Sequence, residues 1–447
     1  MNINLPDEVK QIMTKMNKAG YEIYLVGGAV RDLLLGQLVD DWDFTTNATP
    51  EQVLQVFPDG YYNNQFGTVG IPATTEGFDP HEITTYRTEH GYSDNRRPDK
   101  VTWGKNLEED LQRRDFTINA LALDINNKLI DLFNGQKDLE RKLIKSVGDP
   151  HERFSEDALR LMRAVRIASQ LNFKIETKTL QAIKTYASLI NKIAKERVRD
   201  ELLKILSSDH ADLGIENLRE TGLLEQILPE MEKTYGVEQK SPGRHHIYDV
   251  WTHLLKSLHY CKSPDPIVRL ATLIHDIGKP QTYKKLPNGT ITFYNHEVIS
   301  ARIAKQIATR LRLSKKDSDK LWVLVRWHQF SVGEFQTDSA IRRFIRKVGK
   351  ENIEDMLALR VGDRIGSGAS ETSWRLEEFK RRLIEVQKQP FSVHDLKITG
   401  DDVMKYLNLK PGPKVGEILN DLFKKVEDKK IENEKQVLLD NLKEYQN

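Results

Sequence analysis

The 447-residue sequence predicts an α+β head followed by a mainly α-helical remainder. Three observations lead there. Short β-rich runs at 21–26, 82–86 and 120–123 alternate with amphipathic helical stretches over the first 125 residues. From about Asp138 onward, apolar residues recur at three and four positions, as at 159–168, 202–206, 267–274 and 299–311. Interruptions at Ser241-Pro242-Gly243, Pro287-Asn288-Gly289 and Gly362 to Gly368 read as loops or boundaries. The length exceeds one ordinary core and predicts several domains. Their expected limits are 1–135, 136–235, 236–370 and 371–447.

With 38% hydrophobic and 30% charged residues, no stretch approaches the apolar length of a membrane span. The start, MNINLPDEVKQIM, lacks the basic and apolar regions of a secretory signal, so a soluble cytoplasmic protein is expected. A single cysteine, Cys261, excludes an intrachain disulfide and Cys-based zinc sites, leaving His, Asp and Glu to hold any metal. The formal charge of +2 means that RNA binding has to be argued from local clusters of Lys and Arg.

In the head, the run from Leu25 to Asp32 reads as a strand end, a glycine pair and a helix start. Two glycines let the backbone approach a phosphate, and the exposed N–H groups of a helix start favour an anion. A plain turn has the same look. Asp41-Trp42-Asp43 follows, and in an extended chain Asp41 and Asp43 project to one face. Such a pair repels unless a cation sits between its members, and Mg²⁺ takes carboxylate oxygens together with substrate phosphates. The bland reading is a solvated acidic turn.

Taken together, Gly27-Gly28-Ala29-Val30-Arg31-Asp32, Asp41-Trp42-Asp43-Phe44, the run Arg113-Arg114-Asp115-Phe116-Thr117-Ile118-Asn119-Ala120 and Glu156-Asp157-x-x-Arg160 resemble the polymerase-β-like nucleotidyltransferases in order and spacing. More narrowly, they resemble the class of bacterial and eukaryotic tRNA nucleotidyltransferases and poly(A) polymerases. The resemblance covers roughly residues 20 to 205. It implies a mixed-sheet catalytic head, a helical neck that binds RNA, and metal-dependent addition of CCA to the 3′ end of tRNA from CTP and ATP. It further implies Mg²⁺ on Asp41 and Asp43, and triphosphate contacts from Gly28, Arg31 and Arg114. Glu82, on the strand-like 81–87 run, is a candidate third carboxylate or an ordinary open-face residue.

Asp157, Arg160, Arg163 and Arg166 recur every three residues and form a drifting polar stripe on a helix. A salt-bridged surface face would look alike. A carboxylate can accept from the exocyclic amine shared by cytosine and adenine while a guanidinium donates to their ring acceptors, a pattern that uracil and guanine lack. The resemblance assigns that reading to Asp157 and Arg160, with Arg163 and Arg166 nearby on base or phosphates. The polar stretch 87–98 resembles the loop the family needs for its terminal A.

A second set lies between His245 and Asp363. His253, the doublet His275-Asp276, His296, His328 and Asp363 offer imidazole and carboxylate ligands suited to a divalent metal, although a single His on an apolar helix is more often a core residue. The sequence His275-Asp276-Ile277-Gly278-Lys279, with a histidine upstream and an aspartate late, resembles the HD phosphohydrolases. That resemblance makes His253, His275, Asp276 and Asp363 ligands of a divalent transition metal, with His296 and His328 serving a second one. It implies phosphatase or cyclic-phosphodiesterase chemistry.

The tail holds Leu409-Lys410-Pro411-Gly412-Pro413-Lys414, which reads as an interhelical connection or a tRNA-phosphate contact. Three rival readings stay open: poly(A) polymerase, an enzyme that adds only A, and a hydrolase whose head merely binds RNA. The tail lacks the strong basic bias expected of the first, and the oligomeric state is not legible.

Overall fold

The computed structural model describes residues 5–446 except 40, 65–66, 74–79, 91–99, 105, 240–247, 331–336, 388–392 and 429. Most of the 87–98 stretch and the Ser241-Pro242-Gly243 break therefore lie outside the described residues.

The head is built on strands β1 (Ile23–Val26), β2 (Asp43–Thr46), β3 (Tyr61–Asn64), β4 (Thr68–Ile71), β5 (His81–Thr85), β8 (Leu121–Leu123) and β9 (Leu129–Asp131), in the order β3-β4-β5-β2-β1-β8-β9. Strands β6 (Arg87–His90) and β7 (Lys100–Trp103) form a separate ribbon. The main sheet is mixed because β2 and β5 run parallel, with Asp43 opposite Glu82, while its other neighbours are antiparallel. In β5, His81, Ile83 and Thr85 are buried, and the alternation of a strand leaves Glu82 and Thr84 on the open face.

Between β1 and the Gly28–Leu35 helix, Gly27 turns the chain at φ 73°, a left-handed conformation that glycine adopts without strain. That helix closes on Gly36, which is also left-handed.

Helices make up most of the rest. The Leu159–Leu171 helix packs its apolar face between the Lys195–Leu206 and Ala211–Glu220 helices. Beyond it, the Val250–His259, Pro266–Ile274 and Ile353–Gly366 helices pack against one another, and the His296–Arg310 helix packs on the Lys315–Trp327 helix. Aspartate caps start two of these. Asp249 accepts from the Thr252 N–H at 3.0 Å, and Asp265 accepts from the Ile267 N–H at 2.7 Å just before Pro266.

Gly362 and Gly366 do not form a loop, contrary to the sequence expectation; they lie inside the Ile353–Gly366 helix. A Cβ built on Gly362 would fall 2.6 Å from the Ser257 carbonyl oxygen, and one on Gly366 would fall 2.7 Å from the Ser257 nitrogen. The glycines are therefore contact residues that let two helix backbones approach, and this need outweighs their poor helix propensity.

One continuous apolar core runs from Leu5 to Val386 through head, neck and the helices that follow. A second core, including Ile398, Val403, Leu422, Phe423 and Leu438, belongs to the last helices alone. Among the described residues, no helix is long and apolar enough to cross a membrane.

Candidate functional sites

Two cavities gather the chemistry-bearing residues. The first, of about 470 Å³, lies between the head sheet and the Leu159–Leu171 helix. Gly28, Asp43, Arg114, Asp157, Arg160 and Arg163 line it, as does Glu82. Of the residues expected here, Asp41, Arg31 and Arg166 do not line it. Asp41 is exposed just ahead of β2, although the ladder reaches back to Trp42, whose carbonyl accepts from the Glu82 N–H at 3.3 Å. Arg31 is spent on Asp32, to which its Nε and Nη2 each donate at 2.8 Å, and on the Asn119 oxygen at 2.9 Å. Arg166 forms an ion pair with Glu201 at 2.9 Å.

Electrostatics mark Asp43 as the strained group. Burial pushes its carboxyl up, Arg114 pulls it back, and the charge of Asp41 pushes it up again. A cation beside both carboxylates would relieve that repulsion, so the donor set suits a hard divalent ion. Gly27 makes room, since a Cβ there would lie 3.1 Å from the Arg114 Nη1 and 3.7 Å from the Asp43 carboxylate. Arg114 is steered by buried Asp110, which also accepts from Arg113.

On the neck side, one Asp157 oxygen accepts from the Leu159 N–H at 3.0 Å, just ahead of the helix. Arg160 is braced by three acceptors, the carbonyls of Arg153 and Arg113 and the Glu156 carboxylate. Asp115 joins the two halves. It accepts from the Arg163 Nε at 2.8 Å and the Asn119 amide at 3.1 Å, and although burial opposes its charge, Arg163 holds its carboxyl well below the usual range. Arg197, from the Lys195–Leu206 helix, also lines the cavity, and no motif in the sequence had singled it out.

The second cavity, of about 670 Å³, is lined by His275, Asp276, His296, His328 and Asp363. Helix ends deliver most of them: His275 and His328 close their helices, and His296 opens one. Asp363 reaches the cluster from the last turn of its helix, where Gly362 and Gly366 allow the close approach described above. The His253 and His275 Nε2 atoms are 3.1 Å apart, and both lie 3.3 Å from the Asp276 Oδ2. Asp363 lies 3.5 Å from His253. On the other side, Asp276 Oδ1 is 3.0 Å from the His296 Nε2 and 3.5 Å from that of His328. Asp276 thus offers one oxygen to each pair of imidazoles.

Three imidazoles are oriented by the backbone. His275, His296 and His328 donate from Nδ1 to the carbonyls of Thr272, Phe293 and Val325, at 2.7, 2.8 and 2.7 Å, which turns each Nε2 inward. Burial opposes charge on His275, but Asp276 and Asp363 outweigh it and raise the ring to about 10. Two groups, His253-His275-Asp363 and His275-Asp276-His328, each keep their ligand atoms within 4.8 Å of one another. Inward nitrogens beside carboxylates fit a divalent metal, which would take the place of the proton those carboxylates favour on His275. Lys279, 2.6 Å from Asp276, and Gln239 also face this cavity and were not foreseen.

Comparison with known proteins gives consistent matches. The family model "Poly A polymerase head domain" matches residues 23–145, "Probable RNA and SrmB- binding site of polymerase A" matches 172–234, and a model of tRNA nucleotidyltransferase domain 2 matches 299–442. The CCA-adding enzyme of Pediococcus pentosaceus is 33% identical over 98% of this chain and 98% of its own length. That of Ligilactobacillus salivarius is 35% identical over 98% of this chain and 97% of its own. Among solved structures, the Bacillus stearothermophilus CCA-adding enzyme in complex with CTP superposes with a TM-score of 0.73 at 28% identity, covering 98% of this chain and 96% of that one.

Proposed function

The chain belongs to the CCA-adding enzymes, the tRNA nucleotidyltransferases with a poly(A) polymerase-type head, and on that premise we propose that the cavity between head and neck is where the 3′ end of tRNA is built. It adds C, C and A from CTP and ATP, by metal-dependent nucleotidyl transfer. A cytoplasmic location accords with a tRNA substrate.

The observation that carries the site assignment is that one cavity of about 470 Å³ is lined both by the Asp43 carboxylate with Arg114 and by Asp157 with Arg160. That volume suits a nucleoside triphosphate. Asp41 and Asp43 would hold Mg²⁺, which supplies Lewis acidity toward the α-phosphate and the departing pyrophosphate. The RNA 3′-oxygen bonds to the α-phosphorus as the bond to the bridging oxygen breaks. Gly28 and Arg114 bind the triphosphate, with Arg31 holding the helix start behind them. The free Asp157 oxygen accepts from the amine of cytosine or adenine, and Arg160, braced by its acceptors, donates to the ring. Arg163 and Arg166 fix that helix through Asp115 and Glu201. Glu82, in register with Asp43, adds a carboxylate to the same cavity.

The test is incorporation by the purified protein with Mg²⁺ on tRNA transcripts ending before CCA, after C and after CC. Three nucleotides gained by the first transcript support the reading. A single A gained only by the CC-ended transcript would mean an A-adding enzyme, and long A tails would mean a poly(A) polymerase.

A second activity is favoured by the convergence of His253, His275, Asp276, His296, His328 and Asp363. We propose that this cluster binds divalent transition metal and hydrolyses phosphate esters, the metal supplying Lewis acidity. Asp276 ties the two ligand groups together, and Lys279 steadies its carboxylate.

A further inference from the structure

Across the head sheet, the strand order β1-β2-β5-β4 lays out the groups of the first cavity from one side to the other. Gly28 lies just past β1, Asp43 on β2 stands in register with Glu82 on β5, and Thr84 of β5 pairs with Thr68 of β4, their hydroxyls 3.0 Å apart. All five residues line that cavity. In an in-line displacement the attacking oxygen comes in opposite the departing group. With the triphosphate on the β1 side at Gly28, the RNA end has to lie on the β5-β4 side.

Trp103 stands on that side. It sits on β7 directly opposite Arg87 of β6, and Arg87 lines the same cavity. The ribbon is tied by the hydroxyls of Thr88 and Thr102, 2.7 Å apart. The six-membered ring of the indole lies against Gly67, the residue before Thr68, where a Cβ would fall 2.5 Å from the Trp103 Cζ3. Gly67 is left-handed at φ 87°, so the turn and the indole both call for glycine there. Even in this seat, 45% of Trp103 stays exposed. A lone exposed indole carries no message by itself. This one is fixed beside the cavity, on the side from which the RNA has to enter.

We infer that Trp103 is the platform on which the 3′-terminal base of the RNA primer stacks, a positioning residue that steadies the attacking ribose. The inference rests on the nucleotidyl-transfer reading of this cavity. Stacking suits the primer better than a set of base-specific hydrogen bonds does. Its last base changes during synthesis, from whatever base precedes CCA to C and then to C again, and an aromatic face accepts every base. Selection is left to Asp157 and Arg160, which meet the incoming nucleotide.

The test uses a tRNA transcript ending in CC and the same transcript with an abasic last ribose, each extended by the full chain with ATP and Mg²⁺. In the wild type, removing the base should lower kcat/KM for the RNA about tenfold or more, the factor that one stacked base contributes. Trp103→Leu keeps an apolar side chain against Gly67 but no aromatic face. It should lower kcat/KM for the intact transcript by a similar factor, leave KM for ATP unchanged, and make the two transcripts equivalent. Trp103→Phe should restore most of the difference. No base penalty in the wild type, or one that persists in Trp103→Leu, overturns the inference while leaving CCA addition intact. So does a rise in KM for ATP in place of KM for RNA, which would put the indole on the incoming nucleotide. If the wild type extends neither transcript, the transfer reading fails, and if Trp103→Leu does not fold, the comparison is lost. In either case, photocross-linking of the wild type to a transcript ending in 4-thiouridine decides the platform. Label on the peptide that contains Trp103, competed better by the intact transcript than by the abasic one, supports it, and absence of that label overturns it.

Discussion

Arg163, on the neck helix, donates from Nε to the buried carboxylate of Asp115 at 2.8 Å, and through Asn119 the same carboxylate is linked to Arg31 on the Gly28–Leu35 helix of the head. One ion pair therefore couples the helix that would read the base to the helix that faces the triphosphate. Asp115→Ala should lower stability by about 2–3 kcal/mol in urea unfolding at pH 7, the lower part of the range for an ion pair stripped of one partner, because Arg163 stays 37% exposed. Nucleotide incorporation should fall with it.

The same pair sets an acid limit. Asp115 is held well below its unfolded value near 3.9. Its contribution is therefore complete above about pH 4 and is lost as the pH drops toward the depressed folded value. The stability gap between the wild type and Asp115→Asn should narrow steadily below about pH 4, as read from urea midpoints. A gap that is constant with pH would remove Asp115 from this role.

Replacing Asp43 by Asn should reduce incorporation roughly a thousandfold or more, the scale of removing a group that meets transition-state charge, with little change in melting temperature. Hydrolysis of phosphate esters should persist in that variant. His275→Ala should do the opposite. Parallel loss of both activities in either variant would rule out two separate sites.

Base choice offers a third check. Truncating Asp157 or Arg160 to Ala should narrow the preference for CTP and ATP over UTP and GTP by about tenfold or more, in line with a lost paired base contact. Competition among the four nucleotides on a single tRNA transcript measures it directly.

Gly366→Val should wedge the Ile353–Gly366 helix away from Ser257 at a cost of about 1–3 kcal/mol and displace Asp363 from the histidines. Metal content measured after dialysis should drop in this variant while CCA addition continues. Undiminished metal binding would show that the helix approach is not what assembles the cluster.

Much of this was legible in the sequence where chemistry is written in short runs. Gly27-Gly28, Asp43 and His275-Asp276 carry their own geometry, and β1, β5 and β8 fall close to the expected runs, whereas β3, β4 and β9 complete the sheet where no run was expected. Glu82 became specific only when parallel pairing set it opposite Asp43, a relation that no local pattern encodes. Arg197 and Gln239 reach their cavities from elements distant in sequence. Gly362 and Gly366 misled for a physical reason. Glycine disfavours a helix locally, yet a close helix crossing demands a residue without a side chain, and tertiary packing prevailed.

The break in the apolar core after Val386 has an evolutionary consequence. Most buried apolar residues from Leu5 onward to that point share one interior, so a recombination event within it would have to repair buried surface on both sides of the join. The final helices carry a separate interior of their own. The two are still joined by charge: Arg342 of the Asp338–Val348 helix is buried and pairs with Glu427 of the final helices, so a descendant that exchanged the last segment would have to supply another acceptor for that guanidinium.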